Sequence, residues 1–189
     1  TKIVHVSEQI PGVKEAAIMD WDGFNAHTVT DFGKLVHTPC WGAAGKEIYF
    51  TSYHGNRANI YGLKLKEDAS FNLHPGDLWT IAAYGGTNHS PAWSPAAKRI
   101  AMVLSKDGNS EIYTCDRSGD NLKRVTKTSH TEGSPTWSPD GSKIAFTSND
   151  AGGVHLYVIN ADGTGRRRIT TQGTWSDGVS WSPDGTRLA

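Results

Sequence analysis

Residues 134 to 148 read Ser-Pro-Thr-Trp-Ser-Pro-Asp-Gly-Ser-Lys-Ile-Ala-Phe-Thr-Ser, and this stretch decides the fold because it recurs. Its core, Pro135-Thr136-Trp137-Ser138-Pro139-Asp140-Gly141, aligns with three others: Pro39-Cys40-Trp41-Gly42-Ala43-Ala44-Gly45, Pro91-Ala92-Trp93-Ser94-Pro95-Ala96-Ala97 and Val179-Ser180-Trp181-Ser182-Pro183-Asp184-Gly185. Trp93, Trp137 and Trp181 follow one another at 44 residues, whereas Trp41 and Trp93 are 52 apart. A fixed period of this length marks a repeat architecture. The extra residues of the first interval fall around Glu67 to Asp77, a polar stretch read as a surface loop.

Each copy has the same internal order. A Pro-x-Trp strand leads into a tight turn, with Pro, Asp and Gly where such a turn needs them. An apolar strand follows, as in Ile144-Ala145-Phe146-Thr147-Ser148, Ile100-Ala101-Met102-Val103-Leu104 and Ile48-Tyr49-Phe50-Thr51-Ser52. A third strand comes after a loop, Glu111-Ile112-Tyr113-Thr114-Cys115 or His155-Leu156-Tyr157-Val158-Ile159, and a fourth after an Asp/Asn-x-x-Gly turn. Four strands in such a period make a propeller blade. Proline inside the first strand fits an edge strand, because it cannot donate to a ladder; the inner strand beside a propeller's channel is such an edge. The repeated Trp is then expected to pack between neighbouring blades.

The fold expected is all-β: a propeller of four-stranded antiparallel blades in a single domain over 1–189. The blades fall near 36–82, 88–126 and 132–170, with a fourth split between 1–30 and 178–189. Two alternatives stay open, because Thr186-Arg187-Leu188-Ala189 aligns with Thr1-Lys2-Ile3-Val4. The ends can join into a four-bladed ring, or the chain is a segment of a longer array, such as a six-bladed propeller. Open ends would favour self-association.

Composition agrees with this class. The 189 residues include 21 Gly, 8 Pro and 7 Trp, which punctuate short apolar runs. The formal net charge is zero, so nothing global favours nucleic acid or an anionic membrane, and no stretch is long and apolar enough for a membrane-spanning helix. Cys40 and Cys115 lie on different strands of different blades, which argues against a mutual disulfide.

The stretch 134 to 148, with Leu156-Tyr157-Val158-Ile159-Asn160-Ala161-Asp162-Gly163 and the hairpin Ile18-Met19-Asp20-Trp21-Asp22-Gly23-Phe24-Asn25, resembles the repeat of TolB-like propellers (the PD40, WD40-like repeat). Ala43-Ala44 and Ala96-Ala97 depart from it, standing where other copies have Pro-Asp or Asp-Gly. The resemblance implies a periplasmic or otherwise extracytoplasmic protein without catalytic activity, whose propeller face docks a protein such as a peptidoglycan-associated lipoprotein. The same repeat is similar to that of propellers attached to serine peptidases and of some carbohydrate-active proteins. An accessory peptidase propeller, or a carbohydrate-active one with a metal at the channel mouth, are the alternatives.

Candidate binding residues follow from the repeat. His37 and His89 both stand four residues before a repeat Trp, at the start of the inner strand, and Gly133 and Asp177 hold that place in the other copies. Asn88, Glu132 and Ser176 are their neighbours. His37, His89, Asn88, Glu132 and Asp177 are therefore expected around one channel mouth, as a partner or ligand surface rather than a metal site. No cofactor is expected. The turns at Asp20–Asn25 and Asn160–Gly163 resemble the start of a calcium loop but lack its distal Glu, and read as Asp-Gly hairpins. Trp21 lies in one of them: an exposed aromatic contact, or a ring packed on an adjoining loop. No nucleophile elbow, phosphate loop or His-Glu-x-x-His occurs.

Overall fold

The computed structural model of the chain describes residues 2–70, 72–171 and 178–189. It contains four antiparallel sheets arranged as propeller blades. The first blade has three strands, β1 (Lys2–Ile10), β2 (Val13–Asp20) and β3 (His27–Thr28). The second is β4 (Val36–Trp41), β5 (Glu47–Ser52), β6 (Asn59–Glu67) and β7 (Leu73–Ala82). The third is β8 (Asn88–Ser94), β9 (Arg99–Leu104), β10 (Glu111–Cys115) and β11 (Lys123–Arg124). The fourth is β12 (Glu132–Trp137), β13 (Lys143–Ser148), β14 (His155–Asn160) and β15 (Arg167–Arg168).

Strand order in each blade follows the sequence, so the proline-bearing strands β4, β8 and β12 are sheet edges. Their missing N–H groups therefore interrupt no ladder. The first blade begins at the equivalent of a second strand. Its β2 matches β10 and β14: the N–H groups of Ala16, Ile112 and Leu156 each bond the hydroxyl of a threonine on the returning segment, Thr30, Thr126 and Thr170. At the other end, Trp181 bridges Leu188, and among the described residues this hairpin makes no pairing with β1.

Stability comes from the joints between blades. One apolar cluster joins Ala16, Ile18 and Val29 of the first blade to Ile48, Phe50 and Leu63 of the second, with Trp41 against it. Trp93 flanks the cluster between the second and third blades, and Trp137 is buried in the one between the third and fourth. Trp181 closes over Ala145, Leu156 and Val158. Each repeat Trp thus occupies a blade joint, as expected. Each buried Ile, Phe or Tyr contributes about 1.5–3 kcal/mol through the apolar area it removes from water.

The polar insert of the second blade is not a loop, contrary to its reading from composition. Glu67 pairs with Leu73, Lys66 with His74 and Leu65 with Pro75, so the insert lengthens the outer hairpin. Leu65 and Leu73 are the reason, since both are buried in the first joint. Cys40 and Cys115 are free, as expected, and burial pushes both thiols up to about 12.

Candidate functional site

The inner strands share a feature that their sequences barely show. Thr38, Ser90, Ser134 and Gly178 stand three residues before Trp41, Trp93, Trp137 and Trp181, and all four are left-handed, with φ of 47°, 54°, 46° and 69°. Only the fourth is glycine, for which this conformation is free; a non-glycine residue pays of the order of 1–2 kcal/mol there. In the three complete blades the pairing register shifts at this point, between His37 and Cys40, His89 and Ala92, and Gly133 and Thr136. The inner strand of each complete blade is therefore bulged one residue before its proline, and Gly178, one residue before Val179, shares the left-handed backbone. Bulges re-aim side chains beside functional surfaces.

The three bulges and the Gly178 segment line one open cleft of about 520 Å³, bounded by Thr38-Pro39-Cys40, Ser90-Pro91, Ser134-Pro135-Thr136 and Gly178-Val179-Ser180. Its wall is proline rings and hydroxyls. Contacts between blades fix it: the Ser90 N–H donates to Thr51 Oγ1 at 3.1 Å, and Thr51 Oγ1 lies 3.0 Å from Thr38 Oγ1.

The residues proposed from sequence separate into two groups around this cleft. His37 and His89 are half-buried beside its bulges. The His37 ring meets Tyr53 edge-on at 6.2 Å, and Tyr53 is itself exposed. His89 Nδ1 lies 2.9 Å from the Ser90 hydroxyl, and burial lowers its pKa, which favours the neutral imidazole.

Asn88 and Glu132 instead point into blade joints, and both are fully buried. The Asn88 amide donates to the Ala58 and Tyr84 carbonyls at 3.0 and 2.9 Å, and its oxygen accepts from the Tyr84 N–H. Glu132 Oε1 accepts from the Thr128 hydroxyl at 2.8 Å and lies 3.7 Å from Arg166. Burial raises its pKa, against the Thr128 and Ser148 hydroxyls and Arg166, which favour the charged form. Asp177, with Ser176 and Trp175, lies outside the described residues.

Three further buried carboxylates, Glu15, Glu47 and Glu111, escaped the sequence reading, and two of them hold the segments between blades. Glu111 begins β10 with its side chain fully enclosed, accepting from Arg124 at 3.0 Å and from the Thr128 N–H at 2.6 Å. Glu15 stands just before the apolar run of β2 and takes the Phe32 and Gly33 N–H groups, each at 2.9 Å, together with the Thr30 hydroxyl. Both carboxylates fasten the segments that leave their own blades for the next. A Glu opening an apolar strand in two copies was the available signal.

The Asp-Gly turns close hairpins, with Gly23 N bonding Asp20 O and Gly163 N bonding Asn160 O. Asp20 is held by Lys2 Nζ at 2.7 Å and by the Asn25 amide at 2.6 Å, which leave its carboxylate well below the usual range. Among the described residues no cluster of three or more His, Cys, Asp or Glu side chains is arranged to hold a metal. No helix among them is long and apolar enough to cross a membrane.

Successive four-stranded blades, joined by tryptophans around a bulge-lined cleft, define a β-propeller array. The TolB beta propeller domain family matches residues 1–189, and the chain belongs to that family. The Tol-Pal system protein TolB of Francisella tularensis subsp. mediasiatica is 34% identical over 136 residues, covering 67% of this chain and 29% of that protein. TolB of Desulfosudis oleivorans is 31% identical over 117 residues, 62% of this chain and 25% of that protein. The chain therefore matches under a third of the length of these relatives. The crystal structure of TolB from Acinetobacter baumannii superposes with a TM-score of 0.81 at 26% identity, over all of this chain and 46% of that one. A puromycin hydrolase superposes at 0.74 with 12% identity, over 99% of this chain and 31% of that one, a likeness of fold alone.

Proposed function

We propose that the chain is a non-enzymatic docking propeller, extracytoplasmic in location, whose channel face receives a protein partner. The observation that carries this reading is the left-handed residue repeated at four places around one cleft, on a bulged inner strand in each of the three complete blades. Backbone strain recurring at one place in all three complete blades is retained where a surface needs it. A wall of hydroxyls and proline rings suits an extended peptide segment, which offers backbone donors and acceptors and flat apolar contacts. The half-buried His37 and His89 flank that wall. Relatives named as Tol-Pal system proteins support a partner from such a system, and a peptidoglycan-associated lipoprotein is the one we propose.

Calorimetric titration of the 189-residue chain with the soluble domain of a peptidoglycan-associated lipoprotein tests this. Saturable binding is expected, weakened about tenfold in the His37→Ala, His89→Ala double variant with the melting temperature held. Absence of heat up to about 100 µM partner, where a weak complex still registers, would overturn the reading.

A further inference from the structure

The second blade departs from the other complete blades along one row of paired residues. Tyr49, Gly62 and Trp79 stand opposite one another on β5, β6 and β7. The third blade has Ala101, Thr114 and Lys123 in that row, and the fourth has Ala145, Val158 and Arg167. Two rings therefore flank a glycine in mid-strand, where glycine costs about 0.5–1 kcal/mol relative to alanine and marks a close approach. The Trp79 indole makes that approach, lying on Gly62 so closely that a Cβ there would collide with its ring. Gly42 admits the other ring in the same way, its Cβ position being 2.6 Å from Tyr49 Cζ. Trp79 meets Tyr49 edge-on at 6.2 Å, and both belong to the joint with the third blade.

This row fixes one wall of a cleft of about 470 Å³ between the second and third blades, bounded by Glu47, Lys64, Asp77, Trp79 and Arg117 among others. Side chains alternate faces along a strand. Glu47, Lys64 and Asp77 each stand two residues from a member of the row and so share its face. The opposite wall is the outer turn of the third blade, Asp116–Asp120, which joins third and fourth strands as Asp20–Asn25 does in the first. Gly119 N bonds Asp116 O at 3.1 Å there, as Gly23 N bonds Asp20 O at 2.9 Å. The turn is seated on β7. Gly119, at φ +94°, would drive a Cβ into the Ile81 carbonyl oxygen, and Trp79 Nε1 donates to the Arg117 carbonyl at 3.0 Å.

The polar groups of the cleft are positioned with bonding capacity to spare. Glu47 is buried, accepting from the Tyr49 hydroxyl at 2.8 Å and pairing with Arg117 at 3.0 Å. Arg117 gives one nitrogen to this pair, and its side chain is 59% exposed. The side chains of Lys64 and Asp77 are exposed and make no hydrogen bond or ion pair among the described residues. Two acids and two bases leave the cleft without net charge.

We propose that this cleft binds an uncharged saccharide, with one pyranose ring lying on Trp79 and its hydroxyls set among Asp77, Lys64 and Arg117. The weakly positive C–H bonds on one face of a pyranose meet the negative face of the indole. A hydroxyl both donates and accepts, so it takes a carboxylate oxygen and a cationic N–H at once. An ionic ligand would meet as much repulsion as attraction. The volume falls within the about 300–1,000 Å³ of small-molecule sites. The cleft opens beside the outer strand β7, apart from the cleft between the inner strands, so the two surfaces are separable by mutation.

Tryptophan fluorescence and saturation-transfer NMR with maltotriose, cellotriose and triacetylchitotriose test this, each titrated to about 10 mM, where millimolar binding registers. At least one of these neutral trisaccharides should bind saturably. Trp79→Ala should weaken that binding about tenfold or more. So should a Lys64→Ala, Asp77→Ala double variant, whose melting temperature should hold because neither side chain has a partner to lose; it decides the matter if Trp79→Ala fails to fold. Adenosine and trigalacturonic acid serve as the planar and the anionic competitor. No saccharide bound at about 10 mM would overturn the proposal. So would tighter binding of either competitor, or neutral trisaccharide binding that the double variant leaves unchanged.

Discussion

The indole N–H of Trp137 donates to the carbonyl of Ala92, 3.1 Å away on the inner strand of the neighbouring blade. Trp181 repeats the bond to Thr136 at 3.3 Å. In these two copies the repeated tryptophan does two things at once. Its ring fills a joint between blades, and its nitrogen pairs an inner-strand carbonyl beside the channel. Trp137→Ala should lower stability by about 3–5 kcal/mol, the range for emptying a large aromatic site. Trp137→Phe keeps most of the ring but leaves the Ala92 carbonyl unpaired, and should cost about 1–2 kcal/mol. Urea midpoints of the three proteins check this, and a Phe variant as stable as the parent would show that the bond adds nothing.

The glycine of the outer turn separates two costs. At Gly119 an added Cβ meets both a left-handed backbone and the Ile81 carbonyl, whereas at Gly23 it meets the left-handed backbone alone. Gly23→Ala should therefore cost about 1–2 kcal/mol. Gly119→Ala should cost about 3 kcal/mol or more, since backbone must move to admit the methyl group. Thermal melts of the two variants at low chain concentration compare them directly. Equal losses would mean that the third blade is not seated on Ile81 as tightly as the geometry requires.

The fold was legible because its signals are local and recur. Trp41, Trp93, Trp137 and Trp181 set the period, and Pro39, Pro91 and Pro135 marked an edge strand that the structure places next to the channel. The candidate site was less legible. Asn88 and Glu132 share a column with the buried Val36, one residue before the column of His37, His89 and Gly133, and nothing in the chain itself separates a polar side chain facing a mouth from one facing a joint. What separates them is the returning strand: Tyr84 and Ala58 enclose Asn88, and Thr128 and Arg166 enclose Glu132. The bulge was harder still. Threonine and serine resist the left-handed region, so Thr38, Ser90 and Ser134 concealed what Gly178 in the same column hinted at. In the outer hairpin, two leucines among polar neighbours were too few to show as an alternating strand.

Departures from the Pro-Asp-Gly turn leave strain that can be removed. The turn after Trp93 has alanines where Asp140 and Gly141 stand in the fourth blade, and its left-handed residue is Lys98, at φ 53°. Lys98 is exposed, so little beyond its backbone is at stake. Lys98→Gly relieves about 1–2 kcal/mol of left-handed strain, offset by about 0.4–1 kcal/mol of added freedom in the unfolded chain. A net gain of about 0.5–1 kcal/mol is expected, read as a higher urea midpoint at unchanged slope. A loss would show that the lysine side chain contributes through a contact of its own.

Glu132 should make stability depend on pH in an unusual direction for a carboxylate. Its pKa is raised in the folded protein from an ordinary value of 4.5, chiefly by burial, and among the described residues its Oε2 has no hydrogen-bond partner. The folded state thus holds the proton more tightly than the unfolded chain does. The stabilising contribution is complete below pH 4.5 and is lost as pH rises through the raised folded value. Glu132→Gln removes the titration, keeps an oxygen for the Thr128 hydroxyl, and gives up only the 3.7 Å approach to Arg166. The variant should therefore gain on the parent as pH rises from about 4 to about 7.5, a window that opens at the ordinary carboxylate value. Paired urea melts across that range measure the difference. A difference that stays constant, or shrinks with rising pH, would mean that Glu132 enters the joint already charged, with Arg166 outweighing its burial.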